Sequence, residues 1–274
     1  MKKSSLIILE IVLIILAAIM LIPIYYLLVT TFKTSAEAAL SPMGLPKVFM
    51  LDNYIKAFTA MNYPRALLNN LIVNVCSVSL LVAFSSMAAY VIARRPEKIY
   101  KRIYGIFMIG LMVPFQISLI PLYKVVSGLG VMNSLTGVIL VSVFCINMSF
   151  SIFLFKGFIN TIPFELEEAA AIDGCRKLRI YWVIVFPLLK PIIATVCILN
   201  ALAVWNDFMT PLLFLQSPSK AVILLEVYKN VGPFSTDWTA FFPMMVLGVI
   251  PMVIFYLFMQ RFIINGVVAG SVKG

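Results

Sequence analysis

The sequence predicts an all-α membrane protein that crosses the bilayer six times. The chain is 62% hydrophobic and only 12% charged, with a mean hydropathy of +1.06, so it has too few polar residues to cover a soluble globule. Apolar runs of about 20 residues, the length that crosses the hydrocarbon, recur along the chain and do not alternate as barrel strands do. The predicted spans are Leu6–Val29, Ala66–Ala93, Ile103–Tyr123, Met132–Phe155, Pro191–Leu213 and Trp238–Gln260.

The first span follows a basic start, Lys2 and Lys3. Its apolar run is longer than the core of a signal peptide and lacks a small-residue cleavage site, so we expect it to remain in the mature chain. With the N-terminus inside, 14 of the 21 basic residues fall on the inner side, and the loop Arg94–Arg102 contributes five of them. The positive-inside rule therefore predicts that both termini are cytoplasmic.

The composition argues against several other classes of function. The net charge is +10, but the basic residues lie in short tracts beside apolar runs, so we expect no nucleic-acid partner. The chain has no histidine, and its four cysteines show no CxxC spacing, which leaves no pattern for a metal site or a disulfide framework. No span carries a pair of carboxylates, so we predict no catalytic residue and no enzymatic activity.

The chain is predicted to divide into two parts. Residues 1–65 hold the first span and a long outer loop, and residues 66–274 hold the other five spans. The loop is either an ordered cap or partner surface, or an ordinary exposed loop. In the second span, Ser85, Ala89 and Ala93 leave one helix face small, which favours close packing within the bundle over a separate dimer seam.

Amide side chains lie in three of the predicted spans. Asn74 is in the second span, Asn147 in the fourth and Asn206 in the fifth. Amides in hydrocarbon either find a hydrogen-bond partner on another helix or line a polar path. For any one of them interhelical packing is the expected role, and a polar path is the alternative.

The loop between the fourth and fifth spans contains ELEEAAAIDG, Glu165–Gly174, with four of the eleven acidic residues of the chain. Pro163 suits the first turn of a helix, and the glutamates that follow it complement the positive end of the helix dipole. Three alanines propagate the helix, and Gly174 suits a left-handed turn at its end. We predict a helix of about ten residues, roughly 15 Å long.

This helix is too short to cross the bilayer and too acidic to lie on an anionic leaflet. Its small alanines permit close approach of another protein, and the flanking charges would orient that protein. We therefore predict that the helix docks against a protein partner. A merely solvated loop helix is the alternative.

The same residues resemble the EAA loop of bacterial ABC importer permeases. The pattern of that loop is EAA, then DG three residues later, then an aromatic residue, an isoleucine and two prolines at fixed distances. The matching residues here are Glu168, Ala169, Ala170, Asp173, Gly174, Tyr181, Ile184, Pro187 and Pro191. Two departures, Cys175 in place of alanine and Phe186 in place of leucine, keep the apolar character, and a pattern of this length is specific.

Three other segments resemble the smaller permease subunit of the maltose-type, carbohydrate-importing branch. They are Val113–Ser134, Trp205–Leu215 and Gln260–Gly274. The resemblance therefore covers nearly the whole chain.

The resemblance implies a multi-pass subunit of the bacterial inner membrane that pairs with a second permease subunit, as a heterodimer, among the membrane lipids. It implies a five-helix permease core at 66–274 with the EAA loop at about 160–191, where the short helix acts as a coupling helix for cytoplasmic ATP-binding subunits. An extracytoplasmic binding protein would deliver the substrate. The chain has no GxxxxGK[ST] phosphate loop, so we expect ATP on the partner and no cofactor in this chain. The implied docking residues are Glu168, Ala169, Ala170, Asp173, Gly174 and Pro187.

The implied substrate, a sugar or oligosaccharide, calls for hydrogen-bonding and aromatic groups along its path. The candidate path residues are Asn74, Asn147, Trp205, Asn206 and Asp207. Capping or loop packing is the alternative role for the last three. The alternative function is an ion-coupled secondary transporter of a small polar solute, which would normally bury acidic residues near the midplane.

Overall fold

The structure, a computed structural model, describes residues 3–231 and 237–271, with side chains described for 6–231 and 237–260. Over these residues the chain is almost entirely helical and contains no strand. The helices are α1 (Lys3–Thr30), α2 (Ser35–Leu40), α3 (Asp52–Ala60), α4 (Tyr63–Arg94), α5 (Lys98–Met112), α6 (Leu119–Gly128), α7 (Leu135–Leu140), α8 (Met148–Ile159), α9 (Glu165–Ile172), α10 (Lys177–Ile180), α11 (Phe186–Leu188), α12 (Lys190–Trp205), α13 (Met209–Phe214), α14 (Ile223–Lys229) and α15 (Trp238–Ser271). Shorter segments are the 3₁₀ turns Phe115–Ser118 and Pro218–Lys220 and the π-helices Val141–Asn147 and Tyr181–Val185.

Several helical stretches are long and apolar enough to cross a bilayer. Single stretches at Leu6–Thr30, Tyr63–Arg94, Leu135–Ile159 and Trp238–Gln260 meet the requirement. Two bent pairs of helices meet it only when each pair is taken together, so the described residues contain four candidate spans, or up to six. Lys2, Lys273 and residues 232–236, for which the sequence GPFST predicts a turn, lie outside the described residues. So do the side chains of Arg261 and of the rest of the resembling tail after Gln260.

The third predicted span, Ile103–Tyr123, is not one straight helix. α5 ends at Met112, and the chain bends by 100° before the helical stretch Phe115–Gly128. Pro114 explains the break, because proline has no backbone N–H and pushes the residue before it into an extended conformation. Val113 accordingly has φ −81 and ψ 119.

The fifth predicted span, Pro191–Leu213, is also divided. The stretch Lys177–Leu188 meets α12 at a bend of 74°, and Pro191 stands in the first turn of α12, where its missing N–H costs no intrahelical bond. α12 then ends at Trp205. The remaining part of the predicted span belongs to α13, which begins after a short break.

The chain forms two compact units. The first comprises residues 1–64 and 226–251, and the second comprises residues 65–225 and 252–274. The predicted division after residue 65 stays a prediction.

In the first unit, the long loop after α1 is ordered. Lys33 is fully buried, and its Nζ donates hydrogen bonds to the carbonyls of Ser41 (2.7 Å) and Pro42 (3.0 Å). The buried Asn53 amide donates to the carbonyls of Thr31 (2.9 Å) and Lys33 (2.8 Å). The Asn53 bonds satisfy the carbonyls of two buried residues, and the Ser41 and Pro42 carbonyls give the buried Lys33 ammonium its partners. The structure therefore favours the ordered interpretation of this loop.

Asp237 connects the start of α15 to α2 within the same unit. Its Oδ2 accepts from the Ser35 hydroxyl (3.0 Å), and its Oδ1 accepts from the backbone N–H (2.9 Å) and hydroxyl (2.7 Å) of Thr239. Burial raises the pKa of the Asp237 carboxyl, but these hydrogen bonds outweigh burial and hold the pKa below its ordinary value. Its contribution to stability is complete above the unfolded pKa of about 3.9, and it is lost as pH falls through the lower folded pKa.

The second unit contains two clusters of buried apolar side chains. One includes Val73, Leu81, Val138, Val143 and Phe214, and the other includes Ala89, Phe155, Ile159, Ala170, Tyr181 and Val196. Ser85 and Ala89, from the small face of α4, are both fully buried. The small face therefore packs within this chain, as expected.

Asn133 joins two loops of the second unit. Its φ of +51 places it in the left-handed region, which asparagine tolerates better than most residues. Its backbone N–H donates to the Phe214 carbonyl (2.8 Å), and its Oδ1 accepts from the backbone N–H groups of Gln216 (3.1 Å) and Ser217 (2.9 Å). Its amide nitrogen donates to the Ser217 hydroxyl at 2.6 Å. One side chain thus fixes the connection between α6 and α7 to the segment after α13.

We predict that Asn133→Ala lowers the free energy of unfolding by about 2 kcal/mol, because it leaves two backbone N–H groups without their acceptor. Thermal unfolding of the purified protein in mild detergent measures the change. Asn133→Gly allows the left-handed backbone conformation but lacks the side-chain hydrogen bonds. Its free energy of unfolding should lie between those of the wild type and Asn133→Ala. Asn160→Ala, at an exposed loop position, is the matched control, and an equal loss there would contradict the prediction.

Candidate functional site

The candidate site is centred on α9, the helix formed by the acidic segment. Its first turn contains Glu165, Glu167 and Glu168, whose negative charges favour the N-terminal end of a helix. Pro163 precedes it, and no side chain caps its first turn. The observed helix, Glu165–Ile172, has 8 residues, so it stops two residues before the predicted end at Gly174.

The end of α9 has the hydrogen bonds of a Schellman motif. The Cys175 N–H donates to the Ala170 carbonyl, and the Gly174 N–H donates to the Ala171 carbonyl, both at 3.0 Å. Gly174 has φ +80, the left-handed conformation that a Cβ disfavours. A Cβ added there would meet no other atom within 4 Å. The glycine is therefore required by the backbone conformation and not by lack of space.

α9 has one buried face and one exposed face. Glu167 and Ala170, three residues apart, are 5% and 6% exposed. Glu168, Ala169 and Ile172 are exposed, and successive residues turn by about 100°, which places them on the opposite side. The three exposed residues are called the docking face below.

The buried face of α9 is held by the end of α4. Arg94 Nε donates to Glu167 Oε1 at 2.7 Å, and the Tyr90 hydroxyl donates to Glu167 Oε2 at 2.7 Å. A second nitrogen of Arg94 donates to the Ile162 carbonyl at 3.0 Å, and its guanidinium lies 5.6 Å from the centre of the Phe164 ring. The Arg94 and Glu167 side chains are 13% and 5% exposed, so the ion pair is largely shielded from water. Tyr90, Arg94 and Glu167 are called the polar joint below.

A third residue of α4 contacts the segment after α9. The Ser86 hydroxyl is hydrogen-bonded to the Tyr181 hydroxyl at 2.7 Å, and the rings of Tyr90 and Tyr181 have centroids 5.1 Å apart. Ser86, Tyr90 and Arg94 are four residues apart, so they form one stripe along α4. Tyr181 begins the π-helix Tyr181–Val185.

A cavity of about 510 Å³ lies between the end of α4 and α9. Tyr90, Arg94, Glu168 and Lys177 supply polar groups to its lining, and Val91 and Leu178 supply apolar ones. Its volume is sufficient for several side chains of another protein.

Comparison with known proteins identifies the class of protein that carries this helix. A family model described as "Binding-protein-dependent transport system inner membrane component" matches residues 81–268. The chain belongs to this family of permeases. The match includes α9, the polar joint and both bent pairs of helices.

The permease is similar to transport proteins over most of its length. It is 36% identical to a probable starch degradation products transport system permease protein of Thermoanaerobacterium thermosulfurigenes over 252 residues, covering 92% of this chain and 91% of the relative. It is 34% identical to a melibiose/raffinose/stachyose import permease protein of Bacillus subtilis over 254 residues, covering 92% and 91%. It is 37% identical to a multiple sugar-binding transport system permease protein of Streptococcus mutans over 257 residues, covering 92% of each.

A solved structure shows the same fold. The crystal structure of a bacterial ABC transporter involved in the import of the acidic polysaccharide alginate matches with a TM-score of 0.84 at 22% identity. The match covers 95% of this chain and 98% of that chain. The resemblance of the sequence to ABC importer permeases is thus confirmed, and the family assignment favours an importer over the ion-coupled alternative.

Two candidate path residues of the permease are engaged in packing. Asn74 is 8% exposed and donates to the Ala201 carbonyl of α12 at 2.8 Å. Asn147 is partly buried and donates to the carbonyl (3.0 Å) and hydroxyl (3.2 Å) of Ser142 in its own π-helix. Its carbonyl accepts from Ser151, whose hydroxyl accepts from Asn200 of α12 at 3.0 Å. Both residues therefore connect to adjacent positions of α12.

The other three candidate path residues lie at the end of α12 and just after it. Trp205 is 5% exposed, whereas Asn206 is exposed and Asp207 is intermediate. Asn206 donates to the Leu202 carbonyl at 3.0 Å, and Asp207 Oδ1 accepts from the Thr210 N–H at 3.1 Å. Asp207 thus caps the start of α13, as the alternative interpretation expected.

The sequence interpretation missed the polar joint. The sequence indicates a role for Arg94 only in sidedness and none for Tyr90, and the EAA pattern points to Glu168 although Glu167 is the buried glutamate. The spacing of Glu167 and Ala170 indicates one helix face, but it does not show which of the two faces is buried. Pro187, the last implied docking residue, lies in α11 beside the 74° bend and is exposed.

We predict that Gly174→Val loosens the end of α9, because a β-branched residue in the left-handed region costs about 1–2 kcal/mol. Backbone amides of residues 173–175 should exchange hydrogen about tenfold faster than in the wild type. Gly174→Asn is the matched control, since asparagine tolerates this conformation and the added Cβ has space. Equal hydrogen-exchange rates in Gly174→Val and Gly174→Asn would show that the left-handed φ does not decide which residues position 174 tolerates.

Proposed function

We propose that this permease moves a sugar or oligosaccharide inward across the membrane by alternating access, driven by a separate ATPase that docks on α9. The observation that carries the proposal is the division of α9 into a face held by its own chain and an exposed face. A helix of 8 residues is not stable alone in water, so its contacts with α4 provide its stability. The docking face remains available to a partner.

The docking face suits a protein surface. Ile172 is 86% exposed, Ala169 allows close approach of a partner backbone, and Glu168 supplies a charge that orients the contact. Leu166, 45% exposed, extends the apolar surface along one side. Asp173 and Gly174 end the helix in a defined turn, which keeps the docking face at a fixed position.

The substrate class rests on the relatives. Their names specify starch degradation products, melibiose, raffinose, stachyose and multiple sugars, so a neutral sugar or oligosaccharide is the substrate we propose. Along its path we place Asn206 and Asp207 first, because both retain exposed surface. Asn74, Asn147 and Trp205 would contribute only if the helices around α12 separate, since they are more buried.

We further propose six spans, with each bent pair of helices forming one span and both termini in the cytoplasm. The contact of Arg94 with Glu167 supports this topology, since it places the basic loop Arg94–Arg102 and α9 at the same end of the second unit. The complex would include a second permease subunit, an extracytoplasmic binding protein and cytoplasmic ATP-binding subunits, which hold and hydrolyse ATP.

In this mechanism ATP binding pulls the ATPase subunits together and displaces α9. Only contacts that differ between inward-open and outward-open states can shift the equilibrium between them. The displacement reaches α12 through α10, the π-helix Tyr181–Val185 and the 74° bend. Bends and π-helical turns are positions where helices change direction at low cost.

The first experiment asks whether the tagged protein, extracted gently from its native membrane, retains an ATPase. Hydrolysis should rise when the binding protein is added with maltotriose, raffinose or melibiose, and Gly174→Val should abolish the rise. Ion-coupled uptake that stops when the gradient is dissipated while ATP stays high would contradict the proposal. So would a stable protein from which no ATPase is recovered in several mild detergents.

We predict that Ile172→Glu lowers the amount of ATPase recovered with the permease by about tenfold, because it places a second carboxylate beside Glu168 and removes an apolar contact. Quantitative gel analysis of the purified complex measures the ratio. Thr161→Glu adds the same charge at an exposed position before α9 and should leave the ratio unchanged. A normal ratio in Ile172→Glu would remove this residue from the docking face.

A further inference from the structure

We propose that the polar joint transmits force from α9 directly to α4, so that Tyr90, Arg94 and Glu167 are positioning residues for the coupling of ATP hydrolysis to transport. The inference rests on the proposed function and adds a second route beside the covalent connection to α12. The residues of this route lie on the face of α9 opposite to the docking face.

Three contacts fix the position of α9 relative to α4. Arg94 binds the Glu167 carboxylate, the Ile162 carbonyl and the face of the Phe164 ring. These three partners precede α9 or lie within its first turn, so Arg94 restrains the entry of the helix as well as its axis. A charged hydrogen bond of this length is strong and directional.

Both oxygens of the Glu167 carboxylate are used by the same helix. Oε1 accepts from Arg94 and Oε2 accepts from Tyr90, one turn earlier on α4, each at 2.7 Å. Rotation of α9 about its own axis would break both bonds at once. A buried carboxylate that loses its cation is energetically unfavourable. We therefore expect α9 and α4 to move together.

α4 is suited to carry the displacement. It is a continuous helix of 32 residues with no proline beyond its first turn, whereas the route through α10 to α12 contains a π-helix and a bend of 74°. An unbroken helix moves as a rigid body, and the bent route changes direction. Displacement of α9 would therefore move α4 as one straight helix and would move α12 through a bent connection. The two helices would then separate around a path between them.

The test uses the complete transporter in proteoliposomes, with the sugar that stimulates hydrolysis in the wild type. Transported sugar and hydrolysed ATP are measured in the same sample. We expect Glu167→Gln and Arg94→Met to retain the ATPase in the complex and to hydrolyse ATP. Each variant should transport about tenfold less sugar per ATP, a change of the size that is usual for coupling between two sites. Tyr90→Phe, which removes a single hydroxyl, should show a smaller loss in the same direction.

A second, exposed ion pair serves as a control that tests whether the position of the charges matters and not only their removal. Arg95 and Glu97 lie at the same end of α4, 3.6 Å apart, with side chains 43% and 50% exposed. Arg95→Met and Glu97→Gln should keep the wild-type sugar to ATP ratio. The double exchange Arg94→Glu with Glu167→Arg restores only the ion pair and should recover part of the ratio that each single exchange loses, which a general loss of stability would not do.

Two outcomes would overturn the inference. A wild-type ratio in both Glu167→Gln and Arg94→Met would show that the polar joint is not needed for coupling. Loss of the ATPase from these variants, at normal levels of permease in the membrane, would show that the joint only shapes the docking face. Failure of the proposed function looks different, because then the wild type itself would show no ATPase and no sugar-stimulated hydrolysis.

Discussion

The structure of the second unit depends on one ion pair held away from water. Arg94 and Glu167 meet at 2.7 Å with 13% and 5% of their side chains exposed, where an unpaired charge would be strongly unfavourable. Further contacts hold the pair in place: the Tyr90 hydroxyl donates to the second carboxylate oxygen, and the guanidinium also donates to the Ile162 carbonyl and lies over the Phe164 ring. α9, too short to be stable alone, acquires a fixed place from this arrangement.

Prolines stand at or beside both bends in the predicted membrane spans. Hydropathy identifies Ile103–Tyr123 and Pro191–Leu213 as apolar enough to span, but it responds to composition and not to direction. Pro114 removes a donor and constrains Val113, and the chain bends by 100° at that point. In lipid such a bend needs other partners for the freed carbonyls, so a bent pair of helices must lie beside other protein segments or line a cavity.

The sequence predicted the acidic helix, its glycine turn and the family well, because each rests on local rules. The glutamates of the first turn, the alanines and Gly174 act through the dipole, the propensity and the allowed φ of neighbouring residues. The polar joint depends on Arg94 and Glu167, which are 73 residues apart, and no local pattern indicates that they meet. Glu167 and Glu168 are adjacent and chemically identical, so only the tertiary contact distinguishes the buried one. The candidate path residues show the same limit, since Asn74 and Asp207 are both polar but serve as a packing contact and as a helix cap.

The division of α9 into two faces has a consequence for exchange of parts between related transporters. The docking face is formed by exposed residues, so under the proposed function it could change with a different ATPase without disturbing the membrane helices. The opposite face depends on the end of α4, because a graft of residues 160–176 would leave the Glu167 carboxylate unpaired in any relative that has no cation at the position of Arg94. A chimera with such a relative would need the end of α4, at least Tyr90 and Arg94, together with the loop. The smallest interchangeable module of this permease is discontinuous in sequence, although it is a single contiguous body in space.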